Sequence, residues 1–342
     1  MRLLGYYSNV SFDAQSLVGT TAGGYLLDRV VQDAPDSVLY TTRDPRHDRL
    51  VAVKVLRAPR PGPRYERVAG IVKSIDTPRV TRLYAALRLE GGNPALVIEL
   101  AGGRSLVDRL NDGPIGLVEG IRALEHLLDA LHACHSAGII HRDLRPRALR
   151  LIPRLGRQGS ELKLLDAGVA QMLSDRGAPA VGELLYGHPL FTAPEQWVNR
   201  EVDARTDLYA AGLLGMVMFS GEHFIQPGPP LEVCAQHFRT PRPQLTETAG
   251  GEDIPPPLTR LLVRATNPDR AARFRNVAQM RLALGRARAT LPRRPTGPMR
   301  HARASIESLS QVVFQGETSI LDGIAAEAAS WEGLPDDTFD GG

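Results

Sequence analysis

The hydrophobic pattern of this chain changes its period once, at Gly102-Gly103, and that change limits the folds open to it. Upstream, short runs rich in β-branched and aromatic residues read as strands: Tyr25–Val31, Val38–Thr42, Leu50–Leu56, Leu83–Leu89 and Ala95–Leu100. A polar turn over 44–49, a three-proline loop over 57–64 and Gly91-Gly92-Asn93 separate them. One helix is expected in this part, over Tyr65–Ile75, weakened by Gly70. Downstream, Ile121, Leu124, Leu128 and Leu131 mark one face of a long helix. Residues 202–219 are apolar enough to read as a buried helix, and Leu258–Ala265 and Val277–Arg288 add two more. A run of strands followed by a run of helices predicts an α+β chain with a small β-rich lobe and a larger helical one.

Size and charge agree with this. The chain has 342 residues, room for a two-lobed unit of about 250–270 residues plus extensions. The formal net charge is +3, yet residues 304–342 hold eight acidic residues and no Lys or Arg. We read this as an Arg-rich surface with a solvated acidic tail. No nucleic-acid partner is expected, because a basic helix, a zinc pattern and an aromatic RNP motif are all missing from the sequence. Cys134 and Cys234 are the two cysteines, too far apart for a zinc or redox pair, which suits a reduced, cytoplasmic chain. The first sixteen residues lack the apolar run of a signal peptide, and no window reaches the length of a membrane span. The expected organisation is a lead over 1–24, the β-rich lobe over 25–101 and the helical lobe over 102–290. A Pro-rich linker and an acidic tail follow over 291–342. The tail is expected to be mostly disordered, with Leu309, Val312, Val313, Leu321 and Ile324 available for docking.

Lysine is scarce: Lys54, Lys73 and Lys163 are the only three, and every other basic residue is Arg. A lysine kept inside the apolar run Val51-Ala52-Val53-Lys54 therefore draws attention. So do four later segments: Leu96-Val97-Ile98-Glu99-Leu100-Ala101, His141-Arg142-Asp143-Leu144-Arg145-Pro146, Leu164-Leu165-Asp166-Ala167-Gly168 and Ala193-Pro194-Glu195. In this order they resemble the VAIK, hinge, HRDLKP, DFG and APE motifs of the Ser/Thr protein kinase family, bacterial type, over about Tyr25 to Ala289.

The resemblance implies the two-lobed protein kinase fold, with ATP and Mg²⁺ between the lobes and a protein substrate or signalling partner. By similarity, Lys54 would hold the α- and β-phosphates, and Leu39 and Ala52 would line the nucleotide pocket. The backbone of Glu99 and Ala101 would bond the adenine edge, with Ile98 as gatekeeper. Asp143 would accept the proton of the substrate hydroxyl, a task for an acceptor-only carboxylate. Arg145, in place of the family's Lys, would face the γ-phosphate with a planar fork. Asp166 would hold magnesium. Glu195 would pair with Arg273 or Arg270, and Asp207 would anchor the catalytic loop.

Five departures fall on nucleotide handling. The Gly-rich loop falls on Gln32-Asp33-Ala34-Pro35-Asp36-Ser37, without glycine and with two acids, unless the loop folds differently and stays clear. Ala148 stands where Asn would take a second metal. Arg150 stands at the adenine floor, unless it turns aside and Leu149 or Leu151 serves. On the helix that should supply a partner for Lys54, Val68 holds the Glu position and Glu66 lies two residues earlier, about 200° round. His188, the fifth, replaces a Thr that would meet Asp143. Apart from these five, Ala167 replaces the Phe of DFG. The expected function is a kinase-family domain with weak Mg-ATP binding, either a weakly active kinase or a pseudokinase serving as a signalling scaffold. The alternative is an active ATP-dependent Ser/Thr protein kinase.

Overall fold

Alternation along β4 (Ser37–Asp44) and β5 (Arg49–Leu56) sets the plan of the first lobe, because it gives one sheet two different apolar faces. The computed structural model describes residues 12–58, 62, 64–154, 159–173, 188–198 and 201–291. Its main sheet has the order β3-β4-β5-β7-β6, with β3 at Arg29–Asp33, β6 at Leu83–Arg88 and β7 at Pro94–Glu99, every neighbouring pair antiparallel. Val38, Tyr40, Val51, Val53, Val55, Ala95 and Val97 turn to one face and form a separate core with Ala14 and Leu27. Phe12 and Leu17 pack on that core, and the Tyr40 hydroxyl donates to the Ala14 carbonyl at 2.7 Å. Residues 12–27, including the short β1 (Thr21–Ala22) and β2 (Tyr25–Leu26) hairpin, thus cover the outer face of the sheet.

The opposite face belongs to the second core. Leu56, Leu83 and Leu96 pack there with Tyr65, Val68, Ala69 and Val72 of α1 (Arg64–Lys73). The α1 helix sits where the sequence predicts one, and Tyr65 fastens it to the sheet by donating to the carbonyls of Ala95 at 2.8 Å and Leu87 at 3.1 Å. Leu39, Ala52 and Lys54 lie on this inner face, since Leu39 and Lys54 are register partners and Ala52 precedes Lys54 by two.

Beyond β8 (Arg104–Ser105), the chain becomes helical. The α2 helix (Leu106–Asn111) starts at a capping box between Ser105 and Asp108. The long α3 (Leu117–Ser136), α6 (Ala204–Ser220), α8 (Pro256–Ala265) and α9 (Val277–Ala289) pack together as the body of the second lobe. The α6 helix is buried on all sides from Thr206 to Phe219, as its composition predicts. It meets α3 closely: a Cβ at Gly120 would lie 2.5 Å from the Phe219 ring. Between α3 and α6 lie β9 (Leu149–Pro153), β10 (Ser160–Leu164), α4 (Val169–Leu173) and α5 (Pro194–Trp197); α7 (Pro230–Phe238) follows α6.

Backbone bonds join the lobes at one edge. Thr81 N–H donates to Leu164 O at 2.8 Å, and Leu164 N–H donates to Arg79 O at 2.7 Å. Among the described residues no helix is long and apolar enough to cross a membrane. Most of the expected linker and all of the acidic tail lie outside the described residues.

Candidate functional site

The cleft between the lobes is lined from above by β4 and β5 and from below by the loop 141–148 and the segment around Asp166. That loop is held by a charge buried beneath it. Asp207, on the first turn of α6, accepts the backbone N–H of His141 at 2.8 Å and of Arg142 at 2.9 Å, and pairs with His135 at 2.7 Å. Burial pushes the Asp207 carboxyl up, but the His135 hydrogen bond, the neighbouring histidines and the backbone donor hold it below the usual carboxylate range. His141 bonds the Leu165 carbonyl through its ring at 2.8 Å and so ties the loop to the Asp166 segment. Arg142 and Asp166 both have positive φ, 66° and 59°. Non-glycine residues held there are a mark of a constrained site.

Four of the residues expected at the site converge as ions. Lys54 Nζ lies 2.6 Å from Asp166 Oδ1, both side chains being largely buried. Arg145 Nε lies 3.3 Å from Asp143 Oδ2. Its other end meets a residue from the turn over the cleft: Arg145 Nη2 donates to Asp36 Oδ2 at 2.7 Å. Burial raises the Asp143 carboxyl above the usual range, against the pull of Arg145 and His141. Asp36 is also lifted by burial, yet Arg145 and Lys54 outweigh it and hold its carboxyl below that range. Arg145 is kept charged chiefly by Asp143, with Asp36 adding to it.

The expected hinge residues divide their work. The Glu99 side chain is taken up by Lys163, with which it forms an ion pair, and by the Arg82 N–H at 3.2 Å. The Glu99 N–H donates to Arg82 O at 2.9 Å, so its carbonyl is the group left for a ligand, and Ala101 follows it beyond the end of β7. The third lysine thereby has a role: Lys163 of β10 fastens the hinge strand to the lower lobe. Arg150 is its register partner on β9, so the two share a face. Leu149 and Leu151 face the other way, into the lower core. Arg150 therefore lies on the face of β9 opposite that core, and its guanidinium reaches the rim and donates to Gly103 O at 3.3 Å.

Other expectations are decided by geometry. Glu66 turns away from the cleft and binds Arg88 of β6, at 3.0 Å from Nε and 2.6 Å from Nη2. Val68 and Val72 face Gly168, where a Cβ would lie 2.6 Å from Val72 Cγ2. The α1 helix thus presses on Gly168, next to the buried Ala167. Asp143 is met at 3.1 Å by the backbone N–H of His188, not by its ring. That ring is buried against Phe191 and held neutral by burial, down to about 3. Glu195 pairs with Arg273, 2.9 Å at both ends of the fork, whereas Arg270 goes to Asp203 at 3.5 Å. Ala148 closes the 3₁₀ turn after Arg145 and presents a methyl group. Residues 174–187 lie outside the described residues.

Sequence reasoning missed the device that aims Asp36. Arg57, just past β5, donates to Asp33 at 2.7 Å, to Ala34 O, and to Phe12 O at 3.3 Å. Its backbone N–H also bonds Asp36 O at 2.9 Å. An arginine directly after the strand that carries Lys54, opposite two acids in the preceding turn, was the available signal.

Comparison with known proteins agrees with this architecture. The protein kinase domain family matches residues 36–280. The chain is 30% identical over 230 residues to serine/threonine-protein kinase pkn2 of Myxococcus xanthus, covering 67% of this chain and 27% of that protein. It is 31% identical over 261 residues to serine/threonine-protein kinase PknB of Mycolicibacterium smegmatis, covering 72% and 40%. It is 27% identical over 303 residues to serine/threonine-protein kinase PknA of Mycobacterium tuberculosis, covering 84% and 68%. The chain therefore spans well under half the length of the first two of these relatives.

Proposed function

Because this chain belongs to the bacterial-type Ser/Thr protein kinase family, we propose that it is a cytoplasmic kinase-family domain with weak Mg-ATP binding and slow or absent phosphoryl transfer, working chiefly as a signalling scaffold. One observation carries this reading: the cleft's ionic groups are paired with one another. Lys54 is engaged by Asp166, and Arg145 by Asp143 and Asp36. A phosphate must displace these partners before either cation can serve it.

The roles assigned follow from position and chemistry. Asp143, raised by burial and held by the His188 N–H, is the group to orient and deprotonate a protein hydroxyl. Arg145 and Lys54 are the phosphate cations. Leu39 and Ala52 face the cleft from the sheet, Arg150 lies below, and the Glu99 and Ala101 backbones offer adenine contacts. Asp166 has the hard oxygen that magnesium requires, whereas Ala148 has none, so the residues suit one metal and not two. Magnesium, when bound, neutralises phosphate charge. Each lost electrostatic contact to a transition state costs about 10²–10³ in rate, and here several are altered together.

The test is thermal shift with Mg-ATP together with radiolabel transfer to a generic protein substrate, Asp143→Asn being the control. The expected result is a melting shift under about 2 °C and transfer no faster than in Asp143→Asn. Robust transfer that disappears in Asp143→Asn would establish the active kinase instead.

A further inference from the structure

The turn between β3 and β4 is tight and closed. Ala34 N–H bonds Ser37 O at 3.0 Å and Ser37 N–H bonds Ala34 O at 3.3 Å, leaving Pro35 and Asp36 at the tip. Pro35 offers no N–H to an anion. Asp36 instead sends a carboxylate down 109 residues of sequence separation to Arg145, and Ser37 Oγ steadies its other oxygen at 3.1 Å. Arg57 grips the tip through Asp33, Ala34 O and Asp36 O, and its guanidinium lies over the Phe12 ring, 5.0 Å from the centroid. The tip is therefore held from behind while its one acid points into the cleft. A carboxylate and a phosphate present the same kind of oxygen pair to a guanidinium fork.

We propose that this hairpin is an autoinhibitory latch, in which the Asp36 carboxylate takes the place of a phosphate on Arg145, and nucleotide phosphates bind only when that ion pair opens. The inference rests on the nucleotide reading of the cleft given above. Charge supports it: the ion-paired cluster around Arg145 and Lys54 sets three carboxylates against these two cations, so phosphate oxygens arriving there meet an acidic surplus until Asp36 leaves. The other use of Asp36, as a metal ligand replacing the missing Asn, would show as magnesium-dependent weakening when Asp36 is removed.

Equilibrium binding of Mg-ATP and of inorganic triphosphate to the full chain, compared with Asp36→Asn and Asp36→Ala, tests the latch. Both variants should bind about tenfold tighter than the parent, the gain from removing a latch closed about nine-tenths of the time. Equal affinity overturns the proposal. Weaker binding seen only with magnesium also overturns it and makes Asp36 a metal ligand. Hydrogen exchange judges the ion pair without any ligand: the Ser37 and Arg57 amides should exchange faster in Asp36→Asn, and unchanged exchange sinks the latch. If neither parent nor variants bind nucleotide or triphosphate, the nucleotide reading fails, and the exchange result still decides the latch.

Discussion

The helical lobe and the cleft use buried charge in opposite ways. In the helical lobe, each buried acid among the described residues meets a fixed partner whose only visible task is structural. Glu195 is gripped at both oxygens by Arg273, and Asp207 satisfies two backbone N–H groups of the loop above it. In the cleft, the charges that would serve a nucleotide satisfy one another. The difference teaches that a fold and its site can be held by separable sets of charges: one set bonds the scaffold, and the other is paired within the cleft.

The sharpest way to break the comparison is to remove a partner from the helical lobe. Arg273→Met leaves Glu195 buried without its cation, both side chains being almost wholly out of water. We expect a loss of about 3–5 kcal/mol in chemical unfolding. A loss under about 1 kcal/mol would mean that this lobe does not depend on its buried pair.

A middle-sized effect comes from pH. His237 is fully buried between the Tyr209 hydroxyl at 2.8 Å and Pro189 O at 2.7 Å, and burial holds its ring neutral, down to about 3. The unfolded ring accepts a proton near pH 6.5, which the folded one refuses. Stability is therefore full above about pH 6.5 and falls as pH drops towards 3, by up to about 1.4 kcal/mol per pH unit. Unfolding at pH 7 and pH 5 should differ by about 2 kcal/mol from this group, and His237→Gln should flatten the slope by about one proton. An unchanged slope would remove His237 from the account.

The smallest effect tests the cleft. Glu66 is an exposed partner of Arg88, so Glu66→Ala should cost less than about 1 kcal/mol and change Mg-ATP affinity less than twofold. A tenfold loss of affinity would show that Glu66 reaches Lys54 in the nucleotide-bound protein.

Much of the fold was legible because it rests on local periodicity. The strands around Lys54, the α1 helix and the buried α6 follow directly from alternation, spacing and composition. The outer cover supplied by residues 12–27 was not legible, since its contacts with Val38, Tyr40 and Val53 join positions with no shared pattern. At the site, residue types and order were readable, and even the displacement of Glu66 from the Glu position could be counted. Which acid each cation would choose could not be counted. Both Arg270 and Arg273 suited Glu195 by spacing, and only Arg273 lies within reach of both its oxygens.

The sequence by itself determined a two-lobed chain, the places of Lys54, Asp143, Arg145 and Asp166 along it, and the absence of glycine over residues 32–37. Tertiary structure alone decided that Asp36 meets Arg145, that Lys54 meets Asp166, and that Arg150 leans to the rim at Gly103. The physical reason is range. Periodicity and turn chemistry act over a few residues, whereas an ion pair forms only where folding brings opposite charges within about 4 Å, whatever their separation along the chain.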